Sequence, residues 1–137
     1  PEEFATFREN VSRLDQQRRE GKASQGGEAR LPCALLVNHR CAAYPVRPLT
    51  CRGFNSSDSS QCERFVTSPG QTTLPLYAPQ LRITALVLDG MRARLAESGL
   101  KGDRLELTAA LRLVLEVPGV VERFLAGEPA FVAARLD

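Results

Sequence analysis

Apolar residues recur at three- and four-residue intervals near the start of the chain, with arginine, glutamate and glutamine between them. This spacing is typical of a helix that buries one face. Gly21 follows at a place where glycine commonly ends a helix. The pattern predicts an N-terminal helix within residues 1–20 and a linker at 21–30, where the composition GKASQGG favours a flexible connection. The apolar positions of the helix are Phe4, Phe7, Val11 and Leu14.

Helical spacing returns after Pro79. Gly99 stands where a left-handed helix cap is expected, so the pattern predicts a long helix that ends close to this glycine. One face of that helix is predicted to carry Leu81, Ala85, Leu88, Met91, Arg92 and Leu95.

The segment LELTAALRLVLE predicts a further helix. Asp103 and Glu106 are spaced as in a capping box, which would start the helix at Asp103, and Pro118 would end it. The stretches VVERFLAG and PAFVAARL are predicted to form two short helices, which completes a helical region over residues 79–137. The side chains predicted to face inward are Leu107, Leu111, Val114 and Leu115.

The middle of the chain, residues 31–78, differs in composition because it holds all four cysteines and many prolines. Proline fixes the backbone φ angle and lacks an N–H donor, so we predict loops and short turns rather than long helices or central strands. The patterns together predict a single, mainly α domain over residues 1–137. It is a small helical domain with an irregular, proline-rich loop region that bears the cysteines. The prolines in this region are at positions 32, 45, 48, 69 and 75.

Composition narrows the class of protein. A chain of 137 residues that is 43% hydrophobic can bury roughly two thirds of its unfolded surface, so its core needs no disulfide or metal to form. No apolar run approaches the roughly 18 residues of a membrane span, and no secretion signal opens the sequence. A net charge of +2 gives no general attraction to nucleic acid. We expect a soluble, cytoplasmic protein, and the sequence identifies no partner, membrane or nucleic acid.

The cysteines at 33, 41, 51 and 62 fall within thirty residues. Thiolate is a soft ligand that suits zinc or iron, and four thiolates can close a tetrahedral shell. The intervening segments of 7, 9 and 10 residues lack the two-residue spacing of a zinc ribbon, so spacing alone is a weak indication. Residues 30–78 also carry five arginines against two carboxylates. These arginines would offset the negative charge of a thiolate site and donate hydrogen bonds to sulfur.

Two other interpretations of the cysteines stay open. An even number of cysteines permits two disulfides, although the lack of a secretion signal disfavours an oxidising compartment. Free cysteine is also commonly buried as a small apolar residue. The residues favour a metal site without excluding either alternative.

The segment CAAYPVRPLTCR, from Cys41 to Arg52, carries a resemblance to a known family. It resembles the Cys-x-Ile-Tyr-x-x-Arg-Pro-x-x-Cys-Arg signature of bacterial YkgJ-type cysteine-cluster proteins, which are described as chelating zinc or iron. The strings ELTAALRLVLE and ERFLAGEPAF resemble the helical tail of one branch of that family. The resemblance implies a zinc or iron ion, or an iron–sulfur cluster. The metal ligands that it implies are Cys33, Cys41, Cys51 and Cys62.

Two features depart from the family pattern. The family opens with an upstream Cys-x-x-Cys-x-x-Cys-Cys cluster, and no cysteine precedes Cys33 here. Ala34 also replaces the proline expected after the first cysteine, although Pro32 precedes it. The first departure implies that further ligands belong upstream of this chain. The cysteines present here would then be half of a ligand set, whose thiols can occur free or oxidised without metal.

Four further residues near the cysteines are candidates for supporting roles. His39, the only histidine, could supply a nitrogen ligand or a proton, or lie exposed in a loop. Arg47 and Arg52 could donate to thiolate or bind an anion, and could equally pack on an aromatic ring and cap loop carbonyls. Tyr44 is expected to anchor the core through its ring.

Three functional hypotheses follow from these residues. The first is a metal-binding protein that uses zinc or iron. The second is an iron–sulfur or metal-dependent modifying enzyme, because a flagellin lysine methylase carries a similar cysteine region. The third is a metal-free structural or interaction module. The sequence contains no phosphate-binding loop, nucleophile elbow or His-Glu-x-x-His pair, so it leaves open whether the protein is an enzyme.

Overall fold

The computed structural model describes residues 2–21, 32–67, 74 and 76–136. Helices dominate this part of the chain, which confirms the prediction of a small, mainly α domain. The predicted linker at 21–30 lies outside the described residues apart from Gly21, whose φ of 73° ends the first helix as predicted. The helices are α1 (Glu2–Arg19), α2 (Leu49–Gly53), α3 (Ser59–Thr67), α4 (Ala78–Glu97), α5 (Leu107–Glu116) and α6 (Val120–Leu125). The strands are β1 (Leu36–Val37) and β2 (Arg40–Cys41), and 3₁₀ turns span Tyr44–Val46 and Val132–Ala134.

Helices α1 and α5 pack against each other and form the first part of the core. Val11 and Leu14 of α1 are almost completely buried together with Ala34, and Leu111 and Leu115 of α5 pack against them. Removal of these apolar side chains from water is the main favourable term holding the pair together. Phe4, by contrast, is 55% exposed, so the buried face of α1 does not include the first of the predicted apolar positions.

A charged cluster also joins α1 to α5. Asp15 is 3% exposed and forms ion pairs with Arg112 of α5 at 2.7 Å and with Arg19 at 3.0 Å. Arg18 pairs with Glu106, just before α5, at 3.0 Å. Burial of a carboxylate is tolerated only when opposite charges accompany it, which the two arginines on Asp15 provide.

The C-terminal segment folds back along the start of α5. The backbone N–H of Glu106 donates to the carbonyl of Ala134 at 2.7 Å, and that of Leu136 donates to Arg104 at 2.8 Å. These bonds close a second small core against the inner side of α5. The buried members of that core are Leu113, Val120 and Ala134.

Two predictions about α5 are wrong. The helix begins at Leu107 and its N-cap is Glu106, whose carboxylate accepts from the N–H of Ala109 at 2.7 Å. Asp103 is not the cap; it forms an ion pair with Arg135 instead. Val114 was predicted to face inward, but it is 48% exposed. Because α5 is packed on one side by α1 and on another by the C-terminal segment, its buried face is broader than one stripe and includes Leu113.

The prediction of loops and short turns over residues 31–78 is wrong for two helices. Pro48 is the N-cap of α2, a position that needs no N–H donor, and α3 lies between Pro48 and Pro69, where no other proline occurs. Prolines at the boundaries therefore limited these helices without preventing them. Pro69 and Pro75 lie outside the described residues.

Helix α4 confirms the predicted long helix, with Gly99 at φ 74° beyond its end. It packs on α2, where Gly53 lies directly against Thr84, the one buried residue of α4. Of the predicted inner face, Leu88 is half-buried while Met91 is 52% exposed, so that face was only partly right. Among the described helices, none is long and apolar enough to cross a membrane.

Candidate functional site

A short antiparallel hairpin places the first two cysteines. The N–H of Leu36 donates to the carbonyl of Cys33 at 3.0 Å, which makes a turn directly before β1. Leu36 then pairs across the hairpin with Cys41 of β2. The N–H of Ala42 donates to the Leu35 carbonyl at 2.8 Å and extends the hairpin by one bond. The two cysteines therefore lie on adjoining segments at the open end of one hairpin.

The loop of this hairpin contains His39. Asn38 and His39 have φ values of 48° and 61°, so both occupy the left-handed region, as a two-residue hairpin loop of the primed type requires. Asparagine and histidine occur in this region more often than most residues, but any residue other than glycine adopts it at a cost. His39 is exposed, which agrees with the loop alternative for this residue. The structure places it at the tip of the hairpin, away from the end that carries Cys33.

The segment between Cys41 and Cys51 is fixed by its two arginines. The Arg47 guanidinium lies 4.3 Å from the centre of the Tyr44 ring. Arg52 donates from Nε to the carbonyl of Arg47 at 3.1 Å and from Nη2 to that of Pro45 at 2.7 Å. The arginines thus pack on the ring and cap loop carbonyls, the second of the two roles considered for them. Tyr44 is 60% exposed, so the expectation that it anchors the core is wrong.

The Cys33 thiol is influenced electrostatically by two other cysteines. Although Cys33 is exposed as a residue, partial removal of its thiol from water raises the pKa of that thiol above its ordinary value, and a hydrogen bond from the Leu35 N–H opposes this. The charges that Cys41 and Cys51 carry as thiolates raise the pKa of Cys33 further, while Arg18 lowers it. Because such effects decay with distance, the thiols of β2 and α2 both lie within electrostatic range of the thiol that precedes the hairpin.

The three thiols are free, and their arrangement is open rather than closed on a point. Cys33 is exposed, whereas Cys41 and Cys51 are half-buried, and no disulfide joins them. Among the described residues, no three histidine, cysteine, aspartate or glutamate side chains stand together as a metal ligand set. The donor chemistry suits a soft ion, and closure on such an ion would require the thiols to approach one another.

The fourth cysteine lies on α3, and its side chain is outside the described part of the structure. Asp58 caps this helix: its Oδ1 accepts from the N–H groups of Ser60 at 2.9 Å and Gln61 at 3.1 Å. Hydrogen bonds from the Ser60 hydroxyl and the Gln61 side-chain amide, together with these backbone bonds, lower the pKa of Asp58 to about 2. Residue 62 is therefore held in the first turns of a capped helix.

Several residues that support the site were missed by the sequence reasoning. Asp58 is not among the predicted site residues, although an aspartate followed three residues later by glutamine is a helix-start signature that predicts the cap. The contribution of Arg18 could not be found in this way, because it depends on how α1 packs beside the turn at Cys33.

No family model matches the chain, and no curated protein and no solved structure matches it. The resemblance to the YkgJ-type family therefore stays a prediction that rests on the segment from Cys41 to Arg52.

Proposed function

We propose that this protein binds a thiophilic metal ion, zinc or iron, through Cys33, Cys41 and Cys51. The observation that carries the proposal is the position of Cys33, which lies in the turn that leads into the hairpin of Cys41 and within electrostatic range of both Cys41 and Cys51. Unrelated free cysteines have no reason to gather in this way, and thiolate is a preferred ligand of both metals. We propose Cys62 as the fourth ligand, on the basis of the sequence alone.

The surroundings of the cysteines support this proposal. The Leu35 N–H donates to the sulfur of Cys33 and partly offsets the removal from water that raises the pKa of this thiol, so it stabilises the thiolate form that binds metal. Arg52 stiffens the chain between Cys41 and Cys51 through its two bonds to backbone carbonyls. A stiff connection lowers the conformational entropy lost when two ligands close on one ion.

Metal analysis of reduced protein prepared without oxygen tests the proposal. We expect about one equivalent of zinc or iron per chain and a clear loss of metal on replacing Cys51 by Ser. Ala42→Ser is the matched control, because it introduces the same side chain beside Cys41 at an exposed position and leaves every thiol in place. Cys62→Ser decides whether the fourth thiol takes part.

The same samples separate the alternatives. Visible absorption that bleaches on reduction would favour an iron–sulfur cluster and with it the enzyme hypothesis. A melting temperature that a chelator does not change, together with no bound metal, would contradict the proposal and favour a metal-free module, because structural metal binding is coupled to folding. Equal metal contents in Cys51→Ser and Ala42→Ser would also count against it.

A further inference from the structure

A cleft on the side of α4 has the features of a small-molecule site. Its volume is about 400 Å³, and its walls are formed by α4, by Thr50 at the start of α2, by residues 102–105 and by Leu136. Ligand pockets in proteins commonly have volumes of roughly 300–1,000 Å³. The apolar residues that line it are Leu88, Met91, Leu95, Leu105 and Leu136.

Backbone contacts fix the far wall of this cleft. The Leu136 N–H donates to the Arg104 carbonyl at 2.8 Å, beside the bridge between Leu105 and Arg135. At Gly102 the chain approaches α4 so closely that an added Cβ would lie 3.1 Å from Cγ of Arg92. The cleft is therefore bounded by hydrogen-bonded backbone and a long helix, which is a prearranged wall rather than a loose loop.

The charges at the cleft favour an anion. Its carboxylate, Asp103, is neutralised by two contacts with Arg135, at 2.6 and 2.7 Å. Arg92 is half-buried and pairs with Asp89 at 2.8 Å. Within the part of the chain that the structure describes, the guanidinium of Arg104 forms neither an ion pair nor a hydrogen bond. An unpaired arginine at the edge of an apolar cleft can bind a carboxylate with two parallel hydrogen bonds.

We propose that this cleft binds a small amphipathic carboxylate, with its apolar tail against the leucines and its carboxylate at Arg104. The site is separate from the cysteines, although both share α2 through Thr50 and Cys51. The proposal does not depend on metal binding.

Titration with octanoate, octanol and octylammonium tests the charge and the tail separately. Met91 is the only methionine in the chain and lines the cleft, so a ¹³C label on its methyl group gives one NMR signal for the site. We expect a saturable shift with octanoate, binding of octanol at least about threefold weaker, and the weakest binding for octylammonium. No saturable shift, or an equal response to the three probes, would overturn the proposal.

Three variants locate the binding. Arg104→Gln should weaken octanoate about three- to tenfold and leave octanol unchanged, because only the carboxylate loses a partner. Arg82→Gln, exposed on α4 and outside the cleft, is the matched control and should change neither. Met91 also borders the open apolar surface around Val87. If Val87→Ser weakens octanoate while Arg104→Gln does not, the ligand binds that open surface and the proposal is wrong.

Discussion

The contact between Gly53 and Thr84 fixes α2, and with it Cys51, against α4. A Cβ atom added at Gly53 would lie 2.2 Å from Oγ1, 2.7 Å from Cβ and 2.8 Å from Cγ2 of Thr84, whereas ordinary contacts lie at 3.4–4 Å. Gly53→Ala therefore requires α2 to move away from α4 by about 1 Å, because all three atoms of a buried side chain obstruct the new methyl group.

The size of the effect follows from opposing terms. Overpacking of this kind costs about 1–3 kcal/mol. Alanine recovers part of this, about 0.5–1 kcal/mol, because it restricts the unfolded chain more than glycine does. We expect a net loss of about 1–2 kcal/mol, or roughly 3–7 °C in the melting temperature of a domain this size.

Urea denaturation of a small set of variants checks this reasoning. Gly90→Ala, in α4 itself, is the matched control: nothing lies within 4 Å of its added Cβ, so the same substitution should stabilise by about 0.5–1 kcal/mol. In the Gly53→Ala background, Thr84→Ala should relieve the clash only in part, because the Cβ of residue 84 would still lie 2.7 Å from the Cβ added at residue 53. Thr84→Gly removes that Cβ as well and should relieve the clash more fully. The decisive quantity is the coupling energy between residues 53 and 84 in the double-mutant cycle, which should be favourable. Gly53→Ala with wild-type stability, or a cycle without coupling, would refute the close packing of α2 on α4.

Three other substitutions have expected outcomes. Asp15→Asn should lose about 2–3 kcal/mol in denaturant unfolding, because it removes the buried carboxylate that pairs with Arg112 and leaves that arginine with only the more exposed Glu116. Asp89→Asn, in an exposed pair, should lose less than about 0.5 kcal/mol, and equal losses would contradict the burial of Asp15. His39→Gly should stabilise by about 0.5–1 kcal/mol, since glycine adopts positive φ freely, and a destabilised variant would show that the histidine makes a contact of its own. Asp58→Asn should lower the melting temperature at neutral pH. Because folding lowers the pKa of Asp58 to about 2, its contribution to stability is present above its ordinary pKa of 3.8 and is lost as the pH falls through about 2. The difference in melting temperature from wild type should therefore vanish near that pH. A difference that does not depend on pH would refute the charged cap.

Periodicity was sufficient to predict the helices that pack on one side. Helix α1 and the end of α4 follow directly from apolar spacing and a following glycine. Helix α5 could not be predicted to the same degree, because it is packed on two sides and its buried face depends on where the C-terminal segment returns. The ion pair between Asp15 and Arg112 likewise joins residues nearly a hundred positions apart, and no local pattern encodes such a contact.

The candidate site, like the fold, could be predicted from the sequence only in part. The sequence identified the cysteines and both roles open to Arg47 and Arg52, while the structure selects packing and capping for the arginines. Their part in metal binding, as we propose it, is thus indirect. By holding the chain from Tyr44 to Cys51 in one shape, they set the approach of Cys51 toward the hairpin thiols. It follows that Arg52→Lys, which keeps the charge but cannot reproduce two bonds from a planar group, should weaken metal binding if shape matters and leave it intact if only charge matters.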